Sequence, residues 1–228
     1  MLFRSDPFAT TPRPAAPVRV QATQVLWKPG SGELRASGPL QASRRPPTAK
    51  AGDALQQLTA DALEGNTLTQ AFTLKGLVRF EAAASGDRFS GREVALQTRE
   101  SQGGTQQPFE AAHGDLQVNG KGLQVDGSQH WVKVESACQV RRPGELLIAQ
   151  RCAWNWTSGD VEASGDVQLQ RSANSQITTG QVLSGRLGDA GHLRISAPGG
   201  RVVSRFQLPP RRASAPPPPR PAPPPIVP

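Results

Sequence analysis

CAWNWTSGDVEASGDVQLQR, Cys152 to Arg171, decides the fold, because VLWKPGSGELRASGPLQASR, Val25 to Arg44, repeats it 127 positions earlier. The copies share Trp27/Trp154, Ser31-Gly32/Ser158-Gly159, Ala36-Ser37-Gly38/Ala163-Ser164-Gly165, Gln41/Gln168 and Arg44/Arg171. Working outward, the repeat reduces to apolar-x-Ala, eleven residues, then apolar-x-apolar-x-Gly-x-apolar. Val20/Ala22/Leu34/Ala36/Gly38/Leu40, Leu58/Ala60/Phe72/Leu74/Gly76/Val78 and Leu147/Ala149/Val161/Ala163/Gly165/Val167 fit throughout. Phe109/Ala111/Leu123/Val125/Gly127 fits up to its last place, where Gln129 stands. The motif alanines at 22, 60, 111 and 149 lie 38, 51 and 38 residues apart, which arranges the units as two pairs, with Gln181 to Pro198 as a degenerate relative. Units of this size bury an apolar face only against their neighbours.

Apolar residues at every second position mark strands with one face inward and one wet. Each unit therefore reads as strand, turn, strand. The Ser-Gly pairs supply the positive φ of a hairpin turn. The late glycine, inside the second strand, marks a bulge or a close backbone approach. DALQQLTADALEG, Asp53 to Gly65, reads either as a helix capped by Asp53 and stopped by Gly65 or as the first strand of the second unit, and the repeat selects the strand. A strand is expected around Val94 to Arg99, a flexible loop over ESQGGTQQP (100–108), and a turn at Asn119-Gly120 in the third unit. Further turns are expected at Gly188 to Gly191 and Pro198-Gly199-Gly200.

A chain of 228 residues, 36% apolar and 19% charged, accommodates one all-β domain plus tails. Aromatics make up only 5% and Tyr is absent, which suits a hollow or elongated β structure better than a compact sandwich. The net charge is +8, and +5 once the three arginines of the acid-free tail are set aside. A basic surface favours anionic partners, but the charges are scattered through the strands, so no nucleic-acid partner is expected. Residues 1–17 read as an extended lead-in without the apolar core of a signal peptide, residues 18–208 as the β domain, and residues 209–228 as a disordered spacer. That spacer holds 11 of the 22 prolines and reaches about 60 Å at ~3.1 Å per residue.

Cys138 and Cys152 flank Arg141-Arg142-Pro143-Gly144-Glu145, a turn between two alternating runs, so a hairpin brings them together. The expected disulfide implies an oxidising compartment, and two buried unpaired thiols are the alternative. His113, His130 and His192 lie in separate segments without metal-ligand spacing, and neither a nucleophile elbow nor a phosphate loop is present. No catalytic group, metal site or cofactor is expected. Asn155-Trp156-Thr157 matches a glycosylation acceptor, the proline-rich stretch near Arg220 matches an SH3-type ligand, and Trp27, Trp154 and Trp156 suit either a ligand shelf or strand packing.

Cys152-x-Trp154-Asn155-Trp156-Thr157-x-Gly159, Ala163-x-Gly165-x-Val167-x-Leu169 and Pro198-Gly199-Gly200-Arg201-Val202 together resemble the OstA-like periplasmic proteins of lipopolysaccharide export, above all the longer LptC-type members of cyanobacteria. The likeness is clearest over residues 138–208. It implies an all-β fold, an open β-jellyroll or elongated antiparallel slide built from the repeated units. It also implies a non-enzymatic role: acyl chains of lipopolysaccharide or a related anionic glycolipid held in an apolar groove between an inner-membrane ABC transporter and the outer membrane. Other OstA-like jellyrolls would join at the sheet edges by strand addition. Transporter-bound members carry an N-terminal anchor that residues 1–17 do not supply, so inner-membrane association would require an upstream segment. A soluble LptA-like bridge and a β-solenoid or adhesin-like surface module are the alternatives. The groove candidates share one parity of the motif: Leu34, Ala36, Leu40, Phe72, Leu74, Val78, Leu123, Val125, Val161, Ala163, Val167 and Leu169. Arg171, Arg186 and Arg194 are candidate rim cations.

Overall fold

The computed structural model describes residues 18–45, 55–186 and 192–206; the lead-in, the turn at 188–191 and the proline-rich tail lie outside the described residues. The first strands are β1 (Val18–Gln21), β2 (Gln24–Lys28), β3 (Glu33–Arg44), β4 (Gln56–Asn66), β5 (Ala71–Ala82), β6 (Asp87–Gln97), β7 (Gln102–His113) and β8 (Leu116–Asp126). They are followed by β9 (Trp131–Arg142), β10 (Glu145–Ala149), β11 (Arg151–Asn155), β12 (Asp160–Arg171), β13 (Gln176–Arg186), β14 (Leu193–Ser196) and β15 (Val203–Arg205). All belong to one antiparallel sheet in which neighbours in sequence are neighbours in space. The fold is an open, all-β jellyroll, and the one helical turn among the described residues is a 3-10 turn at Ser172–Asn174. Three strands are broken in two: β1 and β2 pair with successive halves of β3, β10 and β11 with halves of β12, and β15 and β14 with halves of β13. Gln56–Asn66 is a strand with partners on both sides, which settles the helix-or-strand alternative.

A row of register shifts crosses the sheet at mid-strand, and it follows a rule. Inward residues step by three in one strand and by four in the next. β1–β2 runs Ala22 to Val25, β4 Ala60 to Leu63, β6 Gly91 to Val94, β8 Gly120 to Leu123, β10–β11 Ala149 to Cys152 and β13 Gly180 to Leu183. Between them, β3 runs Ala36 to Leu40, β5 Leu74 to Val78, β7 Thr105 to Phe109, β9 Val134 to Cys138 and β12 Ala163 to Val167. A step of three reverses the two-residue alternation and a step of four preserves it, so the pairing slips by one residue while both strands keep their apolar side inward.

The late motif glycine is the bulge residue. Gly38, Gly76 and Gly165 have φ of +85°, +73° and +78°, where a Cβ is strained. Each is also covered by a polar side chain fifteen positions earlier in the chain: Thr23 over Gly38, Asp61 over Gly76 and Gln150 over Gly165. At Gly76 the covering side chain also takes up a backbone group beside the bulge. Asp61 Oδ2 accepts from Leu77 N at 3.3 Å and Glu93 Oε1 from Gly76 N at 3.2 Å. In β7, which has no glycine at this place, buried Thr105 donates its hydroxyl to the Arg92 carbonyl and accepts from Gln107 N at 3.0 Å.

The same rule corrects the third repeat. Gly127 lies in the β8–β9 turn, where its N–H donates to the Ser101 carbonyl, and is not a bulge. The match paired β7 with β8, a four-step strand followed by a three-step strand, which is the reverse of the other units. The units in frame are β6–β7, Phe89/Gly91/Gly103/Thr105/Gln107/Phe109, and β8–β9, Val118/Gly120/Val132/Val134/Ser136/Cys138. Asn119-Gly120 is mid-strand rather than a turn; a Cβ at Gly120 would come within 2.5 Å of Val134 Cγ1. Most of ESQGGTQQP is likewise strand, with Gly103 and Gly104 paired to Leu96 and Ala95.

The inward side chains form one cluster running from Ala36 to Leu183. Leu40, Leu74, Val78, Val134, Val167 and Leu183 are exposed by 2% or less, each stabilising by about 1.5–3 kcal/mol. Cys138 and Cys152 are joined by a disulfide with Cα atoms 6.0 Å apart. It ties β9 to β11 across the break at Gln150, where the ladder between the neighbouring strands is interrupted.

Gly76→Ala places a Cβ 1.8 Å from Asp61 Oδ2 at positive φ, and should cost about 1–3 kcal/mol in urea unfolding. Gly30→Ala, with nothing within 4 Å, should stay within about 0.5 kcal/mol. Thiol titration of denatured, unreduced protein from an oxidising compartment should find no free thiol, and reduction should lower stability by about 3 kcal/mol. Two titratable thiols would overturn the pairing.

Candidate functional site

The inner face is organised in rows that cross the strands, and its two ends differ in chemistry. At one end it remains apolar: register links Trp27 to Leu34, Phe72 to Leu96, Val125 to Val132, and Val132 through Trp154 to Val161. At the other end the row is polar and internally paired. Arg44 donates to Gln56 Oε1 at 2.8 and 3.1 Å. His113 Nδ1 stands 2.5 Å from Asp87 Oδ1, and Ser85 donates to Asp87 Oδ2 at 2.6 Å. Glu145 lies between Arg142, at 2.6 Å, and Arg171, at 2.9 Å. At this rim the carboxylates Asp87 and Glu145 each meet a basic neighbour, while Arg44 has the neutral Gln56 amide as its side-chain partner among the described residues.

The sheet curls around this face. A cavity of about 170 Å³ is lined by Leu58 of β4 and by Leu123 and Val125 of β8, strands four places apart and about 19 Å from each other on a flat sheet. Leu74, Val78 and Phe89 complete its wall, and Arg44 is the one charged residue among its lining. A second cavity, about 190 Å³, lies between Leu116 and Val118 of β8 and Leu183 and Leu193 of β13 and β14, with Asp115, Arg142 and Glu145 at its polar end. β8 serves both, its residues before the bulge row facing one chamber and those after it the other.

All twelve candidates from the motif lie on this inner face. Ala36, Leu40, Leu74, Val78, Leu123, Val161, Ala163, Val167 and Leu169 are buried, whereas Leu34, Phe72 and Val125 are half-buried toward the apolar end. Leu74, Val78, Leu123 and Val125 line the first cavity, and Val161 and Leu169 the second. Of the polar rim, Arg44 and Arg171 were matched by the repeat, two inward places beyond its last apolar position, whereas Gln56, Asp87, His113, Arg142 and Glu145 lie outside the motif. Arg171 is taken up by Glu145, and Arg186 approaches Asp160 at 3.3 Å. The Ser158 hydroxyl, and behind it the Arg186 guanidinium, holds the Asp160 carboxyl below the usual carboxylate range. Arg194 is exposed on β14.

The remaining chemically suggestive residues have local partners. His130 meets Trp156 edge-on at 5.5 Å. Asn155 donates to the Gln129 carbonyl at 3.0 Å and accepts from Thr157 N and Ser158 N at 2.9 Å, so it pins the β11–β12 turn. Among the described residues no group of three or more His, Cys, Asp or Glu is placed to hold a metal ion, and no helix is long and apolar enough to cross a membrane. Trp154 and Trp156 pack against the core, while Trp27, in the equivalent repeat position, is 57% exposed. The difference follows from topology: Trp154 pairs with Val132 on β9, whereas β2 has only β3 beside it among the described residues.

No family model and no curated protein matches the chain. Among solved structures it is similar to LptH, the LptA homologous periplasmic component of the conserved lipopolysaccharide transport device from Pseudomonas aeruginosa, with 13% identity and a TM-score of 0.29 over 85% of this chain and 96% of that one.

Proposed function

We propose that this protein is a non-enzymatic carrier that holds the acyl chains of lipopolysaccharide, or a related anionic glycolipid, against its inner face as one component of a periplasmic export path. The observation that carries this reading is the unbroken apolar parity: every strand crosses the bulge row without turning a charged side chain inward. An acyl chain needs such a wall and no directional partner. Both chambers are partly open clefts with mainly apolar linings, and each reaches the polar rim, at Arg44 in the first and at Arg142 and Glu145 in the second, where a head group would stay wet. The buried disulfide suits an oxidising compartment.

The edges support a place in a series. Val18, Val20, Val25 and Trp27 on the first strand pair are 49–57% exposed although their equivalents inside the sheet are covered, and Phe206 beyond the last strand is 58% exposed. Strand addition by another OstA-like jellyroll would cover them and satisfy the edge ladder. We infer that one edge faces an inner-membrane ABC transporter assembly and the other a jellyroll nearer the outer membrane.

Photo-crosslinking from Val125 and Val161, which line the two chambers, should capture lipopolysaccharide, whereas the outward neighbours Gln124 and Glu162 should not. Crosslinks from the outward pair alone would overturn the reading.

A further inference from the structure

The outer face of β5 to β9 carries a hollow of about 490 Å³ at the same end as the polar rim. Its floor is small: Ser90 pairs between Arg79 and Glu110, and Ala112 between Arg88 and Gln117. Side chains rise around it from two cross-strand rows. One runs Arg79, Ser90, Glu110, Asn119, Gln139; the other runs Glu81, Arg88, Ala112, Gln117, Arg141. All of these side chains line the hollow.

The charges here are arranged oppositely to those of the inner rim. Inside, Asp87 meets His113 and Glu145 meets two arginines. Outside, Arg79, Arg88 and Arg141 are exposed and make no ion pair or side-chain hydrogen bond among the described residues, although Glu81 stands directly opposite Arg88. Three guanidinium groups against two carboxylates leave the hollow one charge positive. Arg79 and Arg88 hold one end and Arg141 the other, four and three strand spacings away, or about 19 and 14 Å. A concave surface with free guanidinium groups focuses its field on an anion and can bind phosphate bidentately. Glu81, Glu110, Gln117, Asn119 and Gln139 accept or donate to hydroxyl groups, which a bare phosphate lacks.

The hollow and the second chamber share a rim. Leu116 faces the chamber and Gln117 the hollow; Arg142 faces the chamber and Arg141 the hollow. We propose that this hollow is a site for a phosphorylated oligosaccharide, namely the head group of an amphiphile whose chain occupies the second chamber and whose sugars bend over the β7–β8 and β9–β10 turns. The proposal rests on the carrier reading for the chain and on the hollow alone for the sugar phosphate.

The test uses the full-length protein with a dansylated undecanoic acid in the chambers and three competitors: an acylated glucosamine disaccharide bisphosphate, its phosphate-free counterpart, and the deacylated disaccharide bisphosphate. Wild-type protein should favour the phosphorylated amphiphile by about 10-fold or more, less so at high salt. Arg88→Gln combined with Arg141→Gln should bring that ratio near unity and leave binding of the fluorescent acid and of the phosphate-free amphiphile unchanged. An equal preference in wild type and variant overturns the site. If no amphiphile displaces the fluorescent acid, the carrier reading falls, and the hollow is judged by direct titration of the deacylated bisphosphate. Binding lost in the variant then sustains the sugar-phosphate site, and no binding, or equal binding by both proteins, overturns it.

Discussion

The structure depends on one constraint: a sheet that bends at mid-strand must not turn its side chains over at the bend. A one-residue slip of register exchanges the two faces of a strand. Here the slip is compensated by alternating inward steps of three and four residues, so each bulge is matched by its neighbour's. The glycines at positive φ, the polar residues over them and the break at Gln150 follow from that requirement. So does the apolar continuity of the inner face.

Much of this was legible in the sequence. Alternation gave strands, the Ser-Gly pairs gave turns, and the late glycines gave bulges in three of the units. What could not be read was the frame in the middle of the chain. There Gly91 and Gly120 replace the motif alanine, while Gln107 and Ser136 replace the motif glycine, with Ala137 taking the positive φ. These substitutions move or remove the positive-φ residue while the register still slips, and they erase the letters that announce the bulge. A chance match nine residues out of frame was left looking better. Asn119-Gly120 misled for a related reason: a pair that favours turns is also what a crowded bulge row accepts, since Gly120 admits Val134 where a larger residue would clash.

The inner face was legible as a list of residues and illegible as a shape. Parity assigned all twelve candidates to one side, but the curl that joins β4 to β8 and β8 to β13 depends on the summed twist of many strands. The Asp87–His113 and Glu145–Arg171 pairs of the polar rim join residues 26 positions apart, and Arg141 faces Gln117 across 24, a cross-strand register that no local pattern records.

The alternation of steps also limits how such a chain can change length. Loss or gain of a single strand would set two three-step or two four-step strands side by side, and the uncompensated slip would expose half of every apolar row beyond it. Loss or gain of a two-strand unit leaves the alternation untouched. A sheet of this kind therefore grows and shrinks in pairs of strands, as a ladder whose rungs are hairpins, and its length can change without redesign of the wall.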